Sequence, residues 1–312
     1  MDIKVSIVLV NYNTKELTAQ CVESIQKHTT GISYEIIIVD NGSVDGSVEF
    51  LSHYTNVLIV ESGGNVGFGR GNNAGVKRAA GEYVFLLNTD TLVLNNAIKI
   101  LFDYCESHQH EKLGVVGCWL MKPDRTITTS NLSFPSVYST WNKVYRYFLK
   151  KRKGVGESMM PNKQIVNVVS GADMFIKKQV YEAIGGFDED YFMYGEEVEL
   201  QYRLHKKEYE QILLKGPQII HLEGSSSGNA NSAKASFFMM YSMKRGRYLF
   251  YRKHKSLFHR ILVALLDFPI DAVFVAIDPR FSHKRLRYFR NYFLLLPYYK
   301  IEKQTIEKKF YL

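Results

Sequence analysis

Three carboxylates fall within four positions of the stretch YGEEVEL, residues 194–200: Glu196, Glu197 and Glu199. Enzymes use carboxylates as general bases that take a proton from a reacting hydroxyl. If a helix begins near Gly195, Glu196 and Glu199 share one of its faces, and Glu197 points about 100° away from them. All three also suit the positive end of a helix dipole, which is the role we expect for Glu199. Spacing alone does not identify a base.

A fourth carboxylate, Asp40, ends the apolar run EIIIVD and is followed by NGSVDGS. At the tip of a buried strand, its side chain is placed to accept a hydrogen bond from the imide N–H of a uracil or thymine ring. The alternative is structural, because Asp40 and Asp45 are also suited to cap the turn and the helix that follow. Taken alone, the stretch leaves both roles open.

Asp90 ends the apolar run FLLNTD, and His221 ends a later one in IIHLEGSSSG. A carboxylate oxygen is a hard ligand that suits Mg²⁺ or Mn²⁺ bridging a diphosphate. His221 could complete the coordination of that ion, although a lone histidine is more often structural. Asp90 could equally cap the turn into a helix near Asn95. The pattern favours a divalent cation held by Asp90 and His221.

The stretch GGNVGFGRGNNAG, residues 63–75, is rich in glycine and precedes a helix-length segment. Glycines at a helix N-terminus let the backbone approach a phosphate or a ribose closely. A Rossmann dinucleotide fingerprint is the obvious rival. It fails because Ala74 stands where the third glycine should follow Gly69 and Gly71. The stretch therefore predicts a phosphate or ribose contact and disfavours a nicotinamide or flavin cofactor.

The elements that position these residues alternate along the first third of the chain. Short β-branched and aliphatic runs are typical of strands buried on both faces of a parallel sheet. Their alternation with helices predicts an open, mainly parallel α/β sheet with helices on both faces, and ligands bind beyond the carboxyl ends of such strands. We expect strands at 5–10, 35–40, 56–60 and 83–88, and helices at 14–28, 46–53 and 69–80.

The alternation weakens further along the chain. Strand character returns at 113–121, at 164–178 with an interruption at Ser170-Gly171, and at the start of 215–228. The basic, aromatic stretch 141–157 is typical of a flap, and the chain beyond Asn229 is predicted to form amphipathic helices.

The three cysteines, Cys21, Cys105 and Cys118, are scattered and odd in number. This pattern disfavours a disulfide framework or a zinc site and suits a reducing compartment. The N-terminal stretch MDIKVSIVLV lacks a basic region and a cleavage site, so we expect no secretory signal. Together these features predict a cytoplasmic protein.

Positive charge is concentrated at residues 244–312, which hold 16 of the 40 Lys/Arg and only 5 of the 31 Asp/Glu. Within the most apolar part, 261–277, Asp267, Pro269 and Asp271 disfavour a transmembrane span. Interfacial helices on an anionic membrane surface fit better. A homodimer surface is the second interpretation. Nucleic-acid binding is disfavoured because no nucleic-acid-binding motif accompanies the basic residues.

In its ordered motifs the chain resembles the inverting nucleotide-sugar glycosyltransferases of family 2, and most closely their rhamnosyltransferase-like branch. The resemblance covers about residues 4–228. It implies a GT-A fold, a nucleoside-diphosphate-sugar donor and Mg²⁺ or Mn²⁺. Its motifs are VSIVLVNYNT, IIIVDNGSVDGS, GGNVGFGRGNNAG, LLNTD, SGADMFIKK, GGFDEDYFMYGEEVELQYR and IIHLEGSSS.

The resemblance also implies roles for single residues. The second member of a Glu-Asp pair is the base in this family, which selects Glu197, with Glu196 as the alternative. Glu197 stands where the family usually carries Asp, and its extra methylene moves the carboxylate outward by roughly one carbon–carbon bond. Asn88 replaces the first Asp of the family's D-x-D metal motif, which predicts weaker metal binding.

The remaining implied residues form three groups. The donor-binding group is Val10, Tyr12, Asp40, Gly67, Asn73, Asn88 and Thr89; the metal ligands are Asp90 and His221; the acceptor or sugar contacts are Gly171, Ala172 and Asp173.

The predicted function is therefore sugar transfer from dTDP-rhamnose or a UDP-hexose to a hydroxyl of a lipid-linked glycan, at the inner face of the membrane, in cell-surface polysaccharide synthesis. Residues 1–228 would form the GT-A domain, with a nucleotide-binding half at 1–93 and an acceptor half at 94–228, and 229–312 a basic helical region.

Two alternatives to sugar transfer remain. A sugar-nucleotide nucleotidyltransferase needs a glycine-rich loop after the first strand, and NYNTKEL has no glycine there. A non-catalytic nucleotide-sugar or membrane-binding protein would need neither the base nor the metal.

Overall fold

The computed structural model describes residues 2–137, 156, 159–222, 233–277 and 288–296. Apart from Gly156, the stretch 141–157 lies outside these residues, and so do 223–232 and the chain beyond 296. The flap and the Ser/Gly-rich loop expected there stay predictions.

The strands are numbered in chain order. They are β1 (Val5–Asn11), β2 (Tyr34–Asp40), β3 (Val57–Glu61), β4 (Tyr83–Leu87), β5 (Thr91–Val93), β6 (Leu113–Cys118), β7 (Asn131–Leu132), β8 (Lys163–Val166), β9 (Val168–Val169), β10 (Asp173–Lys177), β11 (Glu210–Leu214) and β12 (Ile219–His221).

The helices are numbered in the same way. They are α1 (Lys15–His28), α2 (Ser47–Leu51), α3 (Phe68–Val76), α4 (Ala97–Ser107), α5 (Lys178–Ala183), α6 (Glu196–Lys206), α7 (Ala233–His254) and α8 (Leu257–Ile277), and a 3₁₀ helix spans Arg290–Leu295.

One open sheet of eight strands, in the order β3-β2-β1-β4-β10-β6-β11-β8, forms the centre of the protein. The pairs β1–β2, β1–β4, β2–β3 and β6–β11 are parallel, whereas β10 and β8 pair antiparallel with their neighbours. The predicted mainly parallel α/β sheet is thus confirmed. The strand order reverses at β1, between β2 and β4, and such switch points form ligand-binding crevices.

Successive residues of β1 point to opposite faces of the sheet, as the two-residue period of a strand requires. Ile7 and Leu9 join the core that holds α1 and α4, whereas Val8 joins the core that holds α3, α5 and α6. All three side chains are fully buried. Helices therefore cover both faces, which explains why the strand sequences are apolar throughout.

Helix α3 ends at Val76, although the pattern predicts a helix up to Ala80. The backbone N–H groups of Arg78 and Ala79 donate to the carbonyls of Gly75 and Val76, three residues back. The chain therefore tightens into 3₁₀-type turns before Gly81, a common way for a helix to end.

The two C-terminal helices pack on each other and on the 3₁₀ helix around a small core of aromatic and aliphatic residues. Beside it, Lys244 of α7 lies 2.9 Å from Asp267 and 2.6 Å from Asp271 of α8. Asp267 is fully buried and also lies 3.0 Å from Arg247. Both aspartates thus point inward, so their charges are neutralised within the protein. Within the described residues 233–277 and 288–296, the C-terminal part of the chain is helical, as predicted.

Candidate active site

A cleft of about 300 Å³ opens at the carboxyl ends of β1, β2 and β4, across the switch point of the sheet. A concave pocket of this size is typical of a small-molecule site. Its lining consists of Val10, Tyr12, Thr14, Asn41, Asn65, Gly67, Phe68, Asn88, Thr89, Asp90, Ser170, Gly171, Ala172, Met193, Tyr194, Glu196, Glu197 and His221.

The acidic stretch begins helix α6 at one side of this cleft. Tyr194 and Gly195 both adopt positive φ, +68° and +97°, so the chain turns sharply just before the helix. The backbone N–H of Gly195 donates to Oε2 of Glu197 at 3.0 Å. A Cβ added to Gly171 would lie 3.4 Å from Cβ of Glu197, so Gly171 leaves room for this side chain. The turn thus holds the Glu197 carboxylate at the cleft.

Glu196 and Glu197 both line the cleft but differ in environment. Glu196 is buried, and its pKa is raised well above the ordinary value by burial and then by the charge of Glu197. Burial raises the pKa of Glu197 as well, whereas backbone N–H groups, including that of Gly195, act to lower it. When a pair shares one cleft, the better solvated member carries the charge. The balance of these effects favours the charged form at Glu197 over Glu196.

Glu199 is buried, which the dipole interpretation did not anticipate. It accepts hydrogen bonds from Nε of Arg203, at 2.9 and 3.0 Å, and its Oε1 lies 3.0 Å from Nε2 of His254. Burial acts to raise the pKa of Glu199, but the hydrogen bonds of His254 and Arg203 outweigh it, so the pKa is lowered. Glu199 is an ion-pair partner that joins α6 to α7.

Asp90 and His221 lie side by side on the opposite wall of the cleft. Strands β5 and β12 pair so that His221 faces Thr91, which brings its Nε2 to 3.3 Å from Oδ1 of Asp90. The Oδ1 atom of Asn88 is also buried, with no hydrogen-bond partner within the described residues. This donor set of carboxylate, imidazole and amide oxygen fits a divalent cation that takes its other ligands from substrate and water.

The described ranges contain no cluster of three or more His, Cys, Asp or Glu side chains that could hold a metal unaided. Because Mg²⁺ and similar cations are commonly held by one or two carboxylates together with substrate phosphates, the Asp90–His221 pair suits an ion that arrives with a diphosphate.

Asp40 is buried at the end of β2 and lies outside the cleft lining. Its Oδ2 accepts from the backbone N–H groups of Gly42 and Ser43, and its Oδ1 accepts from Nδ2 of Asn11. These bonds fix the turn that carries Asn41 into the lining. The turn-capping role weighed for Asp40 is therefore present, and its contact with a pyrimidine stays a prediction.

The glycine-rich stretch serves two purposes. Gly67, with φ of +92°, lines the cleft where an added Cβ would overlap the carbonyl of Phe192. Gly71 instead faces Val10, and a Cβ added to Gly71 would lie 2.9 Å from Cγ1 of Val10. A Cβ added to Gly75 would overlap the side chain of Val8. These two glycines let α3 pack closely on β1, so only part of the stretch is available to a ligand.

Three predicted site residues lie outside the cleft lining: Asp40, described above, and Asp173 and Asn73. Asp173 starts the antiparallel strand β10, and its side chain is fully buried, with Oδ2 accepting from the N–H of Cys118 at 2.7 Å. Burial raises its pKa to about 7. Asn73 lies on α3, donates to the carbonyl of Phe187 and accepts from the hydroxyl of Tyr181. Neither lines the cleft, and both make structural contacts, while their proposed roles toward the sugar, the acceptor or the donor stay predictions.

The remaining eleven predicted residues lie in the cleft lining: Val10, Tyr12, Gly67, Asn88, Thr89, Asp90, Gly171, Ala172, Glu196, Glu197 and His221. Their roles stay predictions. The lining residues that the sequence analysis missed each lie within three positions of a predicted one, and that proximity is the signal that could have found them: Thr14, Asn41, Asn65, Phe68, Ser170, Met193 and Tyr194.

Comparison with known proteins agrees with this architecture. A sequence model described as glycosyl transferase family 2 matches residues 6–167. The chain is 26% identical to an N-acetylglucosaminyl-diphospho-decaprenol L-rhamnosyltransferase of Mycobacterium tuberculosis, over 62% of this chain and 68% of that protein. It is also 26% identical to the low-salt glycan biosynthesis hexosyltransferase Agl10 of Haloferax volcanii, over 65% of this chain and 62% of that protein.

Among solved structures, GalNAc-T7 with UDP, GalNAc and Mn²⁺ is similar with a TM-score of 0.55 and 14% sequence identity. The match covers 80% of this chain and half of that one. At this identity the similarity concerns the fold alone, and it agrees with the expected GT-A architecture.

Proposed function

The chain belongs to glycosyl transferase family 2, and from that premise we propose that it is an inverting enzyme that moves a sugar from a nucleoside-diphosphate sugar to a hydroxyl of a glycan acceptor. One observation carries the proposal. The same cleft holds a carboxylate suited to be the base, Glu197, and, on another wall, a metal-binding pair, Asp90 and His221. Direct displacement at a sugar carbon needs both.

The proposed reaction is a single displacement. Glu197 takes the proton of the acceptor hydroxyl, whose oxygen bonds to the anomeric carbon as the bond from that carbon to the diphosphate breaks. Attack opposite the leaving group inverts the anomeric configuration. Asp90 and His221, with Asn88, would hold Mg²⁺ or Mn²⁺, which when bound neutralises charge on the diphosphate. No second carboxylate is required as a nucleophile, in contrast to retaining hydrolysis.

The structure suggests how glutamate can replace the usual aspartate at the base position. The longer side chain of Glu197 folds back so that its Oε2 accepts the N–H of Gly195, two residues earlier. This bond fixes a carboxylate that would otherwise have one more rotatable bond than aspartate. The backbone hydrogen bond at Glu197, together with the raised pKa of the more deeply buried Glu196, supports Glu197 over Glu196 as the base.

The donor we propose is dTDP-rhamnose or a UDP-hexose. The relatives named above are a rhamnosyltransferase and a hexosyltransferase, which supports this range of sugars. Asp40 lies directly beneath the turn that brings Asn41 to the cleft. A small displacement of that turn would expose the carboxylate to the imide N–H of a pyrimidine ring. The acceptor proposed is a glycan linked to a lipid diphosphate, as the name of the mycobacterial relative suggests.

A transfer assay tests this function. We expect the protein with Mn²⁺ to add one sugar from dTDP-rhamnose or a UDP-hexose to an N-acetylglucosaminyl-diphospholipid, with inversion seen by NMR of the new linkage. A thermal-shift screen should show dTDP and UDP raising the Tm more than ADP and GDP. Product with retained configuration, or no transfer from any pyrimidine nucleoside-diphosphate sugar, would contradict the proposal.

We further propose that α8 lies on an anionic membrane surface. No described helix is long and apolar enough to cross a bilayer. Because Asp267 and Asp271 point inward, the outward face of α8 carries large apolar side chains, and the sequence of residues 244–312 is rich in Lys and Arg. An apolar helix face with basic neighbours suits an interface with anionic lipid. The exposed apolar residues are Leu257, Phe258, Ile261, Leu265, Phe268 and Val273.

Vesicle flotation tests the membrane proposal. Replacing Phe258 and Leu265, which are 71% and 66% exposed, by serine is expected to weaken binding to anionic vesicles about tenfold per residue. Val44→Ser, at a 90% exposed apolar residue in the loop between β2 and α2, is the matched control. If the double variant floats like wild type but loses a dimer seen by light scattering, the face binds a second copy instead, and the membrane proposal fails.

A further inference from the structure

Helix α7 touches the turn that precedes the candidate base. Gly246 of α7 packs against the backbone of Tyr194 and Gly195: a Cβ at position 246 would overlap the carbonyl oxygen of Tyr194 and lie 3.1 Å from its carbonyl carbon. Its distance to Cα of Gly195 would be 3.5 Å. Backbone therefore meets backbone at this point, and no side chain fits between them.

The turn held in this way has an unusual shape. Tyr194 has a positive φ of +68°, which an L side chain rarely adopts, and Gly195 follows with +97°. Such conformations persist where the surrounding structure enforces them. The turn directs the N–H of Gly195 at Oε2 of Glu197. The orientation of the carboxylate therefore depends on a turn that rests on α7.

Two neighbouring side chains at the C-terminal end of α7 hold it to the chain around this contact. Nζ of Lys253 lies 2.7 Å from Asp188 and also pairs with Asp190, both in the loop that leads to the turn. His254 contacts Glu199 of α6 at 3.0 Å. The loop and the first turns of α6 are thus clamped to the same end of α7.

We propose that Gly246 is a positioning residue for Glu197, so that α7 belongs to the catalytic unit although it lies outside the segment that resembles the family. This inference rests on the proposed function, in which Glu197 is the base. Gly246 acts through the Tyr194–Gly195 turn and touches neither substrate.

The test variant is Gly246→Ala. Alanine favours a helix interior over glycine by about 1 kcal/mol, so α7 itself should not suffer. The new methyl must push the turn away and disturb the Gly195–Glu197 hydrogen bond. Misplacement of a catalytic group by about 1 Å can cost around 100-fold in rate. We expect kcat to fall tenfold to 100-fold, with the KM for the donor unchanged, because none of the proposed donor contacts belongs to the Tyr194–Gly195 turn.

The pH dependence of kcat distinguishes a positioning role of Gly246 from a purely structural one. The N–H of Gly195 favours the charged form of Glu197, so its displacement should raise the pKa of Glu197 and shift the acidic limb of kcat to higher pH. The other titratable groups facing the cleft stay unchanged in sequence: Tyr12, Asp90, Tyr194, Glu196 and His221.

A double-mutant cycle separates positioning from general damage. If Gly246 acts only through Glu197, adding Gly246→Ala to Glu197→Gln should lower the residual rate no further. Losses that multiply, or full activity of Gly246→Ala, would overturn the inference. Failure of the proposed function looks different, because wild type itself would then transfer no sugar.

A second variant keeps the test decisive if Gly246→Ala does not fold. Lys253→Met removes the bridge to Asp188 and Asp190 without adding bulk to the turn, and should lower kcat several-fold at unchanged donor KM. Lys255→Met is the control, since Lys255 contacts the hydroxyl of Tyr202 and not the loop. Equal rates for the two variants would contradict a role for α7 in positioning the base.

Discussion

Glu197→Gln is expected to lower the rate of sugar transfer by about 10²- to 10⁴-fold, the contribution usual for a general base. Glutamine has the same length, and its amide oxygen can still accept the N–H of Gly195, but it cannot take a proton from the acceptor hydroxyl. The KM for the donor should change little, because the diphosphate side of the cleft is intact. Initial rates at saturating donor and acceptor measure the effect.

The pH dependence of kcat provides a second test of Glu197 as the base. Because burial raises the pKa of Glu197 above the ordinary glutamate value, the base loses its charge as pH falls through that raised pKa. Wild-type kcat should therefore decline on the acidic side at a higher pH than for an exposed glutamate. In Glu197→Gln this limb should vanish from the residual activity.

Two variants decide between the neighbouring glutamates. Glu197→Asp keeps a carboxylate at the position and should remain far more active than Glu197→Gln. Because burial and the charge of Glu197 raise the pKa of Glu196, Glu196→Gln replaces an acid whose neutral form is favoured by an amide of similar shape, so its loss should be much smaller. If Glu196→Gln abolishes transfer while Glu197→Gln does not, the base is Glu196 and our assignment is wrong.

The sequence was sufficient for the sheet and for the edge at which the site forms. Apolar runs that end in Asp40 and Asp90 fix where the first strands stop, and parallel strands bring such ends to one edge. The positions next to them, such as Asn41 and Tyr12, enter the cleft for the same local reason. Local patterns of this kind can be read from one sequence because each depends on a few adjacent residues.

Residues whose neighbours are distant in sequence were not predictable in this way. Asn73 has a polar side chain of the kind that binds ligands. It nevertheless donates a hydrogen bond to the carbonyl of Phe187, 114 positions away. Asp173 follows Gly171 and Ala172 into the site motif, but β10 runs antiparallel between β4 and β6, and its pleat directs this side chain into the interior. No local pattern signals either contact.

The same reason explains why the sequence alone predicts that α7 belongs to a separate C-terminal region. Its basic, aromatic composition indicates a surface helix. Its contacts with residues 188–199 instead come from three residues: Gly246 at the turn, Lys253 with Asp188, and His254 with Glu199. A division of the chain at residue 228 would separate the base from the helix that supports its turn. The variants proposed above therefore treat α7, Ala233–His254, as part of the catalytic unit.

Asp90→Ala is expected to lower kcat/KM for the nucleoside-diphosphate sugar by about 10²- to 10³-fold. A bound metal supplies several kcal/mol of charge stabilisation, and each 1.36 kcal/mol is a factor of ten in rate. Asp90 is the buried carboxylate beside His221, so alanine removes the anionic ligand of the proposed ion. Thermal shift with UDP or dTDP provides a second readout: Mn²⁺ should strengthen nucleotide binding in wild type and should not in the variant.

Asn88→Asp supplies the reciprocal test, because it restores a carboxylate next to the Asp90–His221 pair. If Asn88 Oδ1 faces the ion, the added charge should lower the Mn²⁺ concentration needed for half-maximal nucleotide binding, while Asp90→Ala should raise it. Asp103→Ala removes an equal charge from an exposed ion pair on α4 and is the control. If Asp90→Ala retains both full transfer and the Mn²⁺ effect on nucleotide binding, the ion is held by other residues. Asp90 then serves only as a structural partner of His221 at the end of β12.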